Sequence, residues 1–137
     1  MSNEEMSNKG GDNQENIVKK KYDLEERTAK FGEDIIEFVK KLPKNGITQR
    51  LIPQLVGAGT SVGANYCEAD CAETNKDFIH KMSIANKEIK ETKHFLRMCS
   101  KACPEFADEA RKLWQEGKEL NSIFTTIVNN SKKKLVK

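Results

Sequence analysis

The chain has 137 residues, which suits one domain, and a third of them are charged. Its formal charge of +3 is well short of a histone-like balance, so nucleic-acid binding is permitted without being demanded. Three prolines and few β-branched or aromatic clusters argue against strands.

Met1 to Lys21 are rich in Ser, Asn, Gly, Glu, Gln and Lys, with no aromatic residue and no helical period. Such a stretch buries too little to offset its ordering entropy, and residues 1–21 are expected to be a flexible tail. The polar, acidic start does not resemble a secretory signal, and no run reaches the ~18–20 apolar residues of a membrane span. The expectation is a cytoplasmic protein with no membrane partner and four reduced cysteines.

A first helix should begin after Asp23, which with Glu26 has the spacing of a capping box. Leu24, Thr28, Phe31, Ile35, Phe38 and Leu42 recur at steps of four and three and define its seam. Pro43, Asn45 and Gly46 then turn the chain. A second helix is predicted from Thr48 to Thr74, with Leu51, Leu55, Ala58, Val62, Asn65, Ala69 and Ala72 inward. Pro53 must lie in its first turn or make a kink. Gly57, Gly59 and Gly63 make this helix thin, at a cost in helix propensity that close approach of another backbone would offset.

Thr74 and Asp77 open a third helix whose seam is Phe78, Met82, Ala85, Ile89, Thr92, Leu96 and Cys99. Pro104 ends it. The fourth seam is Phe106, Ala110, Leu113, Gly117, Leu120, Phe124 and Ile127. Residues 131–137 read as a basic C-terminal tail. The fold class is therefore all-α: an antiparallel up-down-up-down four-helix bundle over residues 22–130.

Cys67/Cys71 and Cys99/Cys103 each have i,i+4 spacing and suggest zinc. In an antiparallel pair turning near Asn75, however, the two pairs lie about 24 Å apart along the axis at 1.5 Å per residue. No metal or other cofactor is expected within one chain. His80 and His94 lack zinc-protease or triad context, and the glycines lack a phosphate-loop lysine, so an enzyme is not expected.

Ser61, Asn65 and Glu68 follow one another on or beside the second seam. A carboxylate there needs partners, and Arg27 falls at nearly the same height in the antiparallel first helix. The four residues are expected to form a buried polar network that fixes register; a small-molecule pocket is the rival reading. Opposite the third seam, His80, Ser83, Lys87, Lys90, His94, Arg97 and Lys101 make a line that no acidic residue interrupts. Such a stripe can track a phosphate backbone.

The stretch QLVGAGTSVGANYCEA from Gln54 to Ala69, and DFIHKMSIANKEIKETKHFL from Asp77 to Leu96, resemble the bacterial four helix bundle proteins. That family includes proteins encoded in intervening sequences of large-subunit ribosomal RNA genes and, more distantly, the accessory variability protein of diversity-generating retroelements. Phe95 stands where many relatives have tryptophan, a conservative change. The resemblance implies a homopentamer with no known catalysis. Its retroelement branch implies RNA or DNA binding through a basic surface, beside a reverse transcriptase. Together these readings lead to the expectation of a non-enzymatic self-assembling bundle that binds structured RNA through Lys87, Lys90, His94, Arg97 and Lys101. The alternative is a structural or protein-interaction module with no nucleic-acid role.

Overall fold

The computed structural model describes residues 23–136, and of Val136 only the backbone. The expected N-terminal tail lies outside these residues. Among the described residues four helices run in order: α1 (Leu24–Lys41), α2 (Thr48–Asp70), α3 (Asn75–Ala102) and, after a 3-10 turn at Pro104–Phe106, α4 (Ala107–Val136). Each packs on the next, and α4 returns to α1, which closes the up-down-up-down bundle.

Every residue of the α1 seam is buried: Leu24, Thr28, Phe31, Ile35, Phe38 and Leu42. The helix starts after Asp23 as expected, but the capping box does not form. Asp23 takes a left-handed backbone (φ 44°, ψ 60°) and its side chain makes no cap hydrogen bond. Between α1 and α2, Asn45 turns the chain. Its side-chain Oδ1 accepts from the amides of Ile47 and Thr48, which satisfies two N–H groups at the start of α2. Thr74 caps α3 as its spacing predicts, its hydroxyl accepting from the Asp77 amide at 3.1 Å.

Pro53 sits inside α2. This helix ends at Asp70 rather than Thr74, and its seam drifts by one residue near the end, burying Tyr66 where Asn65 was expected. A similar slip puts Ile79 inside in place of Phe78 and Val128 in place of Ile127. Ala69, Met82 and Phe124 beside these positions are buried as expected, so each slip is confined to one turn. The α4 helix runs on to Val136, so residues 131–136 are helical, and buried Ser131 extends the core where a tail was expected.

The thinness of α2 is used by α1. A Cβ added at Gly59 would lie 2.5 Å from Ile35 Cδ1, and one at Gly63 would meet the Thr28 backbone at 3.5 Å. The two helices therefore approach backbone to backbone, which offsets the cost of glycine in a helix interior. Gly57 faces open space.

Candidate nucleic-acid interface

The expected buried network does not form. Arg27 points to the other neighbour of α1: its Nε donates to Glu116 Oε2 at 2.7 Å, and its Nη2 donates to Glu116 Oε1 and Glu119 Oε1, each at 2.8 Å. Hydrogen bonding to Glu116 raises the Arg27 pKa above its ordinary value. Ser61 donates to its own helix at Gly57 O (2.6 Å), and Asn65 donates to Ser61 O (2.9 Å). Glu68 is exposed and pairs with Lys81 of α3 at 2.7 Å. Equal axial height placed Arg27 beside α2, but height says nothing about which flank a side chain leaves from. The polar residues that are buried, such as Thr28 and Thr92, are satisfied within their own helices by carbonyls four residues back.

The rival pocket reading fares no better. A cleft of about 640 Å³ opens at the end of the bundle where α1 begins, between Leu24, Tyr66, Phe78, Met82 and Ile127. None of Ser61, Asn65 or Glu68 lines it. Cys67 and Cys71 are exposed, whereas Cys99 and Cys103 are buried. Burial pushes the Cys99 thiol up to about 11, the ionisation of an inert core residue. Among the described residues no cluster of His, Cys, Asp or Glu is placed to hold a metal ion, and no helix is long and apolar enough to cross a membrane.

The α3 stripe is where its spacing puts it. His80, Lys87, Lys90, His94, Arg97 and Lys101 are all exposed, opposite buried Met82, Ala85, Ile89 and Leu96. The ion pairs among the described residues engage Arg27, Lys30, Lys40, Lys41, Lys81 and Arg111, and none engages a member of the stripe. The acids nearest in sequence are Glu88 and Glu91. Burial raises the Glu88 carboxyl to about 7, with a hydrogen bond to Glu91 and that residue's charge adding to the shift.

On α4, Glu109 bonds Lys41 at 2.6 Å, and Glu116 and Glu119 bond Arg27. The acids of α4 that pair across the bundle thus turn to α1, away from α3. The flank of α4 that meets α3 carries Trp114, which the sequence reading of the α4 seam passed over. Lys93 Nζ lies 4.8 Å, and Lys118 Nζ 5.9 Å, from the centre of its ring. The signal was present as Arg111, Trp114 and Lys118 at steps of three and four beside the seam.

A family model described as 23S rRNA-intervening sequence protein matches residues 20–129. Among solved structures, the chain is similar to a protein of unknown function from the S23 ribosomal protein family of Bacteroides thetaiotaomicron. The TM-score is 0.68 at 25% identity, over 77% of this chain and 95% of that one. No curated protein matches. With the bundle, the seams and the matched span in agreement, the chain belongs to the 23S rRNA-intervening sequence protein family.

Proposed function

We propose that this bundle is a non-enzymatic, self-assembling protein that binds nucleic acid, structured RNA foremost, through the exposed stripe of α3. The observation that carries this reading is the line from Lys87 to Lys101: exposed cations on one helix face, without an acid in the line and without ion pairs among the described residues. Cations already paired have less to gain from a phosphate, whereas these release counterions when they neutralise one. Assembly into a homopentamer would present the stripe five times and convert a weak patch into useful avidity. The resemblance to retroelement accessory proteins makes a reverse transcriptase the protein partner to test. The cytoplasm is the expected site of action.

The experiment is RNA binding over a salt series, beside light scattering for assembly state. The logarithm of affinity should fall by about 0.7 per phosphate neutralised on a single strand, and about 0.9 on a duplex. A Lys90→Glu/Arg97→Glu double variant should lose binding and keep its helical circular dichroism. Wild-type protein that binds nothing at low salt would leave a structural or protein-interaction module as the reading.

A further inference from the structure

The rim of the seam between α3 and α4 is laced by polar side chains. Asn121 Nδ2 donates to Asn86 Oδ1 at 2.7 Å, and Asn86 Nδ2 donates to Thr125 Oγ1 at 3.0 Å. These contacts fix which flanks meet. On α3 the row continues from Asn86 through Lys90 and Lys93 to Arg97; on α4 it continues from Asn121 back through Lys118 and Trp114 to Arg111. Neither row contains an acid. Lys90 and Arg97 belong to the stripe already described, so the stripe borders this seam.

Trp114 is the single tryptophan of the chain, half-buried and packed against the core. Gly117 matters to the arrangement. A Cβ there would lie 3.0 Å from Lys93 Cγ, so the bare backbone of α4 lets the Lys93 stem cross the seam and bring its ammonium to the indole. A second ammonium arrives from Lys118, one turn further along α4. A partly exposed indole, two flexible cations over it and further cations in line form the parts of a stacking platform for nucleic acid.

We infer that the α3–α4 seam around Trp114 is a binding site for unpaired nucleotides of an RNA. A base lies on the indole, while Lys93 and Lys118 leave the ring for the phosphates on either side. A duplex hides its base faces within its own stack, whereas loops, bulges and ends offer them. The site therefore selects single-stranded segments, while the stripe supplies charge to paired and unpaired RNA alike. This inference rests on the proposed nucleic-acid binding and names the part of the RNA that is held.

The test uses the full chain and two ligands with equal phosphate number, a short mixed-sequence single strand and a blunt duplex, at low salt. Because Trp114 is the single fluorophore of its kind, its emission reports stacking directly. The single strand should quench it and the duplex should not. W114L, which keeps an apolar side chain but removes the π face, should weaken single-strand binding about tenfold or more and leave duplex binding unchanged. W114F keeps a face on which a base can stack and should bind the single strand within about threefold of wild type. Circular dichroism verifies folding, and if W114L melts early, the difference in quenching of the wild-type protein by single strand and duplex decides alone. Single-strand binding without quenching, equal quenching by the duplex, or undiminished binding by W114L would overturn the inference while leaving charge-driven binding intact. No binding of either ligand would overturn both.

Discussion

The α1–α2 seam and the α3–α4 seam both join closely packed antiparallel helices, and they differ in what lies along them. In the first, Gly59 and Gly63 let α1 settle onto the α2 backbone, with Ile35 and Thr28 filling the space that side chains would take. In the second, the helices share the apolar core, and Asn86, Asn121, Thr125, Lys93 and Trp114 line its rim, where polar atoms remain at the surface. The difference teaches where binding chemistry can survive folding. A seam made of backbone approach spends its surface on packing. A seam with long polar side chains along its rim keeps cations and an aromatic ring available to a ligand.

The largest effect should come from filling the first seam. Gly59→Leu places a branched side chain where even a Cβ would lie 2.5 Å from Ile35 Cδ1. Overpacking of this kind costs about 2–3 kcal/mol, and forcing α1 from α2 accounts for it. Gly57→Ala is the opposite case, because its Cβ would meet nothing within 4 Å. It should raise stability by up to about 1 kcal/mol through helix propensity alone. Urea denaturation of both variants measures the contrast. Equal destabilisation at the two glycines would mean that backbone approach does not hold the seam.

The same contrast explains what the sequence disclosed. Hydrophobic spacing is a property of one helix at a time, and it placed the whole α1 seam and nearly all of α3 inside. The glycines of α2 likewise announced a close neighbour without saying which one, and the neighbour is α1 within the same chain. Contacts between flanks are a property of two helices, and there the reading failed. Arg27 was given the height of Asn65 when its flank faces Glu116 of α4. Ser61 and Glu68 sit one residue before buried Val62 and Ala69, and spacing alone does not say that their side chains leave from the outer edge of that face. The α3 stripe was legible because exposure needs no partner. Trp114 was not, because its significance depends on Lys93 crossing from another helix.

The α2–α3 seam sharpens the comparison, since it also uses long side chains but brings carboxylates to the cations. Lys81 of α3 reaches Glu68, and Glu88, seven residues on, leaves α3 from the same flank. Burial, then the hydrogen bond to Glu91, raises the folded Glu88 carboxyl from 4.5 to about 7. The folded state therefore keeps a proton that the unfolded chain has released between pH 4.5 and 7. Stability should fall as pH rises through that window, and the penalty should be complete above it. Solvent reaches this carboxyl, so screening reduces the effect to about 1 kcal/mol. Glu88→Gln should flatten the dependence and melt higher than wild type at alkaline pH. Thermal melts across the window would check this, and a variant that retains the wild-type slope would assign the pH dependence to other groups.

The smallest effect is expected in the α3–α4 seam itself. Asn86→Ala removes both the 2.7 Å bond from Asn121 and the 3.0 Å bond to Thr125. Were these atoms buried, two unpaired polar groups would be costly. Thr125 is exposed and Asn121 half-buried, so water can replace Asn86 at each. The expected loss is therefore about 0.5 kcal/mol, several times less than at Gly59, although two hydrogen bonds are broken. A double-mutant cycle with Asn121→Ala isolates the coupling between the two side chains. A coupling near zero agrees with a seam whose polar contacts are readily exchanged for water, and hence for the polar atoms of a ligand. A loss matching that of Gly59→Leu would show that this ladder is a structural clamp. The α3–α4 seam would then resemble the α1–α2 seam in strength, and opening it to admit a ligand would carry a stability cost.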